Sequence, residues 1–313
     1  MNILVFGSLN QDIVYDIDHF GQPGETTKAH QVSQYPGGKG LNQAIAASQA
    51  GSPVSMAGCI GLDGTWLTAL LEEKGVQTGH VHTLEAARTG TAIIERDPAG
   101  HNRILLDPGA NSLCTLQQIQ DTLTAYQPGD LLICQNETSL TRQLVQEAGS
   151  RQLQILFNPA PMTADIRDMD LSCVTWLAVN ETECAQLLDT GSRDPLTLCR
   201  LFRRRYPETS LLLTLGSQGA ICLQNEQLWF MPAFQVKAVD TTGAGDTWLG
   251  YFADGLRRGL PVGQIMKRAS AAAALAVTRE GAASSIPEDS QVEDFLQAQT
   301  EEPEKTVLSP LSA

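Results

Sequence analysis

The chain has 313 residues, 42% of them hydrophobic and 5% aromatic, with a formal net charge of −14, which is room for two average domains or one large α/β domain with an appendage. So acidic a balance argues against nucleic acid or an anionic membrane as partner, and a polyphosphate would have to be held by local amides, a few basic side chains and metal ions. Seven cysteines, odd in number and never in a Cys-x-x-Cys pair, read as reduced buried thiols rather than metal ligands or a disulfide framework. Met1 to Phe6 lacks a charged leader segment and a cleavage site, and no apolar run nears the ~18 residues of a membrane span. A cytoplasmic protein is expected.

Ile3 to Phe6 is a continuous apolar run that stops at Gly7-Ser8, as suits a strand buried on both faces of a parallel sheet. The residues after it, Gly7-Ser8-Leu9-Asn10-Gln11-Asp12, are not the Gly-x-Gly-x-x-Gly of a dinucleotide-binding turn, which weakens a nicotinamide oxidoreductase reading. Asn10 and Asp12 instead place an amide and a carboxylate at the end of a strand, where α/β sheets bind ligands. A carboxylate accepts from two neighbouring hydroxyls at once, so a sugar is a natural partner; a turn-capping Asp12 is the equal alternative.

From Ile13 to Tyr35 apolar and polar residues alternate around Gly21, Pro23 and Gly24, the pattern of a hairpin with one wetted face. A second such block spans 88–106, with Asp97-Pro98-Ala99-Gly100 at its turn. Two antiparallel pieces set into an α/β chain can pair into a small sheet that closes over substrate as a lid. Pro36 to Ala44 opens a helix reaching about Ala50, and its Gly-Gly-Lys-Gly does not fit the Walker pattern. Buried-strand runs at Val54 to Ile60, Leu131 to Cys134, Leu153 to Phe157, Val174 to Val179 and Leu211 to Leu215 are interleaved with helical patterns, among them 63–74, 194–205 and 265–277. The fold expected is α/β, a central mostly parallel sheet flanked by helices, with a small β-sheet lid. Residues 291–313 are polar and acidic, and 300–313 read as a flexible tail.

Phe234 to Val239 reads as a strand, and Trp248, Leu249, Phe252, Ala253 and Leu256 fall at helical spacing. Between them lies Asp240-Thr241-Thr242-Gly243-Ala244-Gly245-Asp246. Small residues at a helix start leave its first amides open, so Gly243, Ala244 and Gly245 form an anion cradle. Asp246 at its mouth is either a plain helix cap or a general base beside bound phosphate.

Gly7 to Asp12, Gly37-Gly38-Lys39-Gly40-Leu41-Asn42-Gln43 and Asp240 through Asp246 together closely resemble the ribokinase branch of the PfkB carbohydrate kinase family. The resemblance extends over essentially the whole chain to about Pro287. It implies one ribokinase-like kinase domain over 1–295, with lid segments at about 12–35 and 88–106. The implied reaction is transfer of the γ-phosphoryl group of ATP to the primary hydroxyl of D-ribose, with Asp246 as base. Asn10, Asp12, Gly38, Lys39, Asn42 and Glu137 would hold the sugar. Asn180, Thr214, Gly216, Ser217, Gly219 and Ser270 would lie along the nucleotide. Glu183, in Asn180-Glu181-Thr182-Glu183, would act through water on Mg²⁺, although as bare sequence those residues are also an ordinary helix start. A K⁺ site would draw on Asp240, Thr242, Ala276, Arg279, Gly281 and Ser285, and homodimers through the lid would be usual. Leu41 departs from the small residue common at that position, a change that could reshape the sugar pocket. Deoxyribose, a ketose such as fructose, or a nucleoside remain alternative substrates, and a non-catalytic sugar or nucleotide sensor is the alternative of another class.

Overall fold

The computed structural model describes residues 1–299 and 306–308. In chain order the first half holds β1 (Ile3–Phe6), β2 (Asn10–Ile17), β3 (Ala29–Gly37), α1 (Lys39–Gln49), β4 (Val54–Gly61), α2 (Thr65–Glu73), β5 (Val76–Leu84), β6 (Gly90–Arg96), β7 (Asn102–Asp107) and α3 (Leu116–Leu123). There follow β8 (Leu131–Gln135), α4 (Thr141–Ser150), β9 (Gln154–Asn158), α5 (Ala164–Arg167), β10 (Trp176–Asn180), α6 (Glu181–Leu187), α7 (Pro195–Arg205) and β11 (Ser210–Thr214). The last part comprises β12 (Gly219–Gln224), β13 (Gln227–Pro232), α8 (Ala244–Arg257), α9 (Val262–Ala276), α10 (Asp289–Ala298) and β14 (Thr306–Leu308).

Ten strands form the main sheet in the order β14-β13-β12-β11-β10-β9-β8-β1-β4-β5. Every pairing from β5 to β11 is parallel, and the pairings from β11 to β14 are antiparallel. All four residues of β1 are buried, and their side chains divide by the period of two that a strand imposes. Ile3 and Val5 join Leu41, Leu67, Tyr251, Ala269 and Val292, so α1, α2, α8, α9 and α10 cover that face. Leu4 and Phe6 join Ile119, Leu144, Cys184 and Phe202, so α3, α4, α6 and α7 cover the other.

The chain leaves β1 toward β4 and β5, then returns to β8 on its other side. That reversal opens a crevice at the carboxyl ends of β1 and β8, the place where such sheets bind ligands. On the covered side, α8 lies very close to α1: a Cβ at Gly250 would meet the Ala46 side chain at 2.3 Å. Only glycine permits this approach, and one turn earlier on each helix it brings Asp246 against Asn42.

Both predicted hairpins pair into one four-stranded sheet, order β3-β2-β6-β7, with β2 and β6 parallel at its centre. One sequence expectation needs correction. Phe234 to Val239 is irregular rather than a strand; its end is tied to α9 instead of a sheet, the amides of Val239 and Asp240 both donating to Val277 O, at 2.7 and 3.2 Å. Within the expected flexible tail, Thr306–Leu308 forms an edge strand on β13; the other residues of that tail lie outside the described ones. All seven cysteines are free thiols.

Candidate active site

α8 begins from Gly243 in the left-handed conformation (φ 74°), which glycine adopts without strain. Asp246 sits in the first turn but caps nothing. Its buried carboxylate instead faces α1, accepting from Asn42 Nδ2 at 3.1 Å and Gln43 Nε2 at 2.8 Å. The Ala244 amide turns back to Thr241 O at 3.3 Å and that of Thr247 to Gly243 O at 2.8 Å. Among the described residues, the amides left open here are those of Gly243, Gly245 and Asp246, so the cradle expected from 243–245 is shifted by its middle member. A Cβ on Gly245 would meet nothing within 4 Å. Gly245→Ala should therefore fold normally yet fill the space in front of these amides; if they form the anion cradle that the resemblance implies, kcat/KM for ATP should fall by roughly 10-fold or more, which steady-state ATP titrations alongside a melting curve check, an unchanged kcat/KM counting against the cradle.

The other side of Asp246 is built by the end of β1 and the start of α1. Gly38, the residue before α1, packs on the Ser8 backbone, and Lys39 follows it. Glu137 Oε2 accepts from the Lys39 amide at 3.1 Å and from the Ser8 hydroxyl. The Lys39 ammonium is held above its usual range by Asp246 foremost, against its own burial, with Glu137 and Glu183 adding. Asp12, in β2, lies against the Gly37 backbone, its carboxyl pushed up to about 6 by burial and by Glu137. Asn10 Oδ1 accepts from Asn111 Nδ2 at 2.8 Å, and Asn111 also grips Leu9 through both backbone groups. The six sugar-side candidates thus converge at one strand end. Asn111 and Ser8 also build this strand end; Ser8 lies inside the Gly7-to-Asp12 motif, which gives it no distinct signal, and no motif surrounds Asn111.

Thr214, Gly216, Ser217, Gly219 and Ser270 line a single cavity of about 350 Å³ that also takes in Ala244 and Gly245. Ser270 Oγ accepts from Trp248 Nε1 at 3.2 Å. Val236, Ala238, Ala273, Ala274 and Val277 complete its apolar wall, small residues that carry no motif. Asn180 does not line the cavity but pairs in register with Thr214. Asn180 and Glu183 form a reciprocal capping box at 2.9 Å each way. The helix-start reading is thereby realised; it engages Glu183 Oε2, while Oε1 has no hydrogen-bond partner among the described residues. A larger cavity of about 540 Å³, between α5 and α6, contains none of the candidate residues.

Asp240 Oδ1 accepts from the amide and hydroxyl of Thr242, at 2.9 and 2.7 Å, and Oδ2 from the Gly281 amide at 3.0 Å. Although burial opposes it, these bonds hold the Asp240 carboxyl below its usual range. Asp240, Thr242 and Gly281 are thus brought together directly. Ala276 O receives the Arg279 amide at 3.1 Å, and buried Ser285 donates to Ala282 O at 2.9 Å; neither bonds to Asp240. A Cβ on Gly243 would meet Ala282 Cβ at 2.9 Å, so this loop backs directly onto the anion turn. Among the described residues no three His, Cys, Asp or Glu side chains cluster as metal ligands, and no helix is long and apolar enough to cross a membrane.

The family model described as pfkB family carbohydrate kinase matches residues 1–289. The ribokinase of Schizosaccharomyces pombe is 36% identical over 304 residues, covering 92% of this chain and 95% of that protein. The deoxyribokinase of Salmonella typhi is 32% identical, covering 95% and 99%. The structure of Arabidopsis thaliana ribokinase complexed with ribose and ATP superposes with a TM-score of 0.84 at 25% identity, covering 95% and 99%. With these matches end to end and the glycine turn, buried aspartate and strand-end cradle in place, the chain belongs to the pfkB family of carbohydrate kinases, phosphotransferases that use an alcohol group as acceptor.

Proposed function

We propose that this protein is a ribokinase, phosphorylating the primary hydroxyl of D-ribose from ATP to give ribose 5-phosphate. The observation that carries the reading is the buried Asp246 carboxylate standing between two prepared spaces: the sugar-side cradle of Asn10, Asp12, Lys39, Asn42 and Glu137, and the nucleotide cavity opening at Gly245. Asp12 and Glu137 supply acceptors for hydroxyls. Asn42 donates to Asp246 while its own Oδ1 lacks a partner, so that oxygen is available to orient a hydroxyl beside the base. Asp246 takes the proton of the attacking hydroxyl, and the open amides and the Lys39 ammonium face charge on the transferring group.

Hard oxygen donors suit the two implied cations. The free Glu183 Oε1 and retained water fit Mg²⁺, and the Asp240 carboxylate, the Thr242 hydroxyl and loop carbonyls fit K⁺. Held there, Mg²⁺ would supply charge neutralisation for phosphate, and K⁺ would supply a fixed positive charge to the loop behind Gly243. Leu41 is fully buried among Ile3, Val5 and Ala44, so this departure from the usual small residue is taken up by core packing. Deoxyribose is the second reading because of the Salmonella relative; Asp12, placed to accept from a vicinal diol, favours ribose.

ADP release measured across ribose, deoxyribose, fructose and adenosine, with K⁺ present or replaced by choline, tests this. Ribose should give the highest kcat/KM, and K⁺ should raise it; a preference for another acceptor reassigns the substrate, and sugar binding without ADP release would indicate a sensor. The four-stranded sheet would act as a lid in a cytoplasmic homodimer, its Val32, Ile104, Leu105 and Leu106 being exposed apolar groups that a second copy would cover. A monomeric mass by light scattering would count against that assembly.

A further inference from the structure

Gln43 has no part in the mechanism above, yet its side-chain amide is the most fully committed polar group around Asp246. Its Nε2 donates to Asp246 Oδ1 at 2.8 Å and to Asn158 Oδ1 at 3.5 Å, and its Oε1 accepts from Gln135 Nε2 at 2.7 Å. Each partner has its own fixed direction. Asn158 donates to Ala178 O at 2.8 Å, which turns its Oδ1 toward Gln43. Gln135 Oε1 packs on the α-carbon side of Gly7, where a Cβ would come within 2.1 Å, and has no hydrogen-bond partner among the described residues. Gln135 and Asn158 are register partners at the carboxyl ends of β8 and β9. All three amides are buried.

From this geometry we infer that Gln135 and Gln43 are positioning residues for the phosphoryl-transfer reaction: the strand ends aim Gln43, and Gln43 aims the Asp246 carboxylate at the sugar hydroxyl. Among the described residues the Asp246 carboxylate, on α8, hydrogen-bonds only to Asn42 and Gln43 of α1, so without Gln43 a single hydrogen bond would be left to orient it. A carboxylate accepts and never donates when ionised, so it fixes which end of Gln43 faces it. Gln43 in turn requires a donor behind its Oε1, and Gln135 is that donor. The polarity of the whole chain is set by the charge at its end, and the unpartnered oxygen is left at the far end, beside Gly7. A cluster of this kind, supported from rigid strands, holds a reacting group within the few tenths of an ångström that transfer requires.

The inference rests on Asp246 being the base, and three variants separate the two claims. Gln43→Leu keeps the volume and removes the donor; kcat should fall ~30- to 100-fold, with the KM values for ribose and ATP within about twofold of wild type. Gln135→Leu should lower kcat ~3- to 10-fold, because Gln43 can then rotate its amide. In the double variant the second change should add nothing, since Gln135 acts only through Gln43. Multiplying effects, or KM rising in step with a kcat loss, would show two independent packing contributions and overturn the inference. So would a folded Gln43→Leu enzyme of unchanged kcat while Asp246→Asn is inactive. Should Asp246→Asn itself retain turnover, it is the base assignment that fails.

Discussion

Asp246→Asn is expected to abolish ATP-dependent sugar phosphorylation, lowering kcat by at least ~10³-fold, the upper part of what a positioned general base contributes. The substitution is nearly isosteric and its site is internal, so the fold should survive it. Asn42 Nδ2 and Gln43 Nε2 donate to different oxygens of Asp246, and in Asn one of those oxygens is replaced by an NH₂ that faces a donor. One buried hydrogen bond is therefore lost, a destabilisation of about 1–3 kcal/mol. Lys39 also loses the charge that most holds its ammonium up, which should weaken ATP binding less than it weakens turnover. Coupled measurement of ADP release, with ribose affinity by calorimetry and a melting curve, resolves these parts. Turnover within tenfold of wild type would end the assignment of Asp246 as base.

The second large effect is at Asp12, where activity and stability should move in opposite directions. A carboxyl pushed up to about 6 from its ordinary 3.8 is more easily protonated in the folded protein than in the unfolded chain. Its contribution to stability is thus fully present below pH 3.8, declines as pH rises, and is lost above about 6. At 1.36 kcal/mol per unit the difference is of order 3 kcal/mol. Asp12→Asn stays neutral at every pH and should raise the melting temperature of the ligand-free protein at pH 8 by about 5 °C, with little gain at pH 4. The same change removes an anionic acceptor from the sugar cradle and should cut kcat/KM for ribose by roughly 10²-fold or more. In the wild type, KM for ribose should climb as pH falls through about 6. A variant that binds ribose normally, or one that melts no higher at pH 8, would show that Asp12 holds no charge awaiting a sugar. Strain of this kind is typical of sites that trade stability for function.

The parts of the site that could be read in the sequence are those where backbone demands restrict side chains. Gly243 must adopt a left-handed turn, Gly38 must pack on the Ser8 backbone, and Asp246 follows a run with no bulk. The continuous apolar strands were legible for the same reason, since burial on both faces leaves no choice of polarity. Phe234 to Val239 reads as a strand because its apolar residues serve a cavity wall: Phe234, Val236 and Ala238 line the cavity beside Gly245, and apolar composition alone does not separate a wall from a strand. Asn111 and Gln135 leave no signal, and Asn158 shows only as the stop after a strand, because polar side chains that meet across the fold carry no local period. Backbone carbonyls such as Ala276 O leave even less trace, as any residue supplies one.

The bonds from Asn42 and Gln43 to Asp246 join residues 204 and 203 positions apart. At ribosomal speeds of about 5–20 residues per second, the base is synthesised roughly 10–40 s after the amides that will hold it. Until α8 is made, the chain lacks the helix that covers Ala46 and the carboxylate that the two carboxamides bond in the folded protein. The sugar cradle and β1 are therefore available to fold early, while phosphoryl transfer awaits the arrival of α8. Closing so distant a contact is entropically slow and belongs late in folding, so the emergence of kinase activity would serve as a clock for completion of the chain.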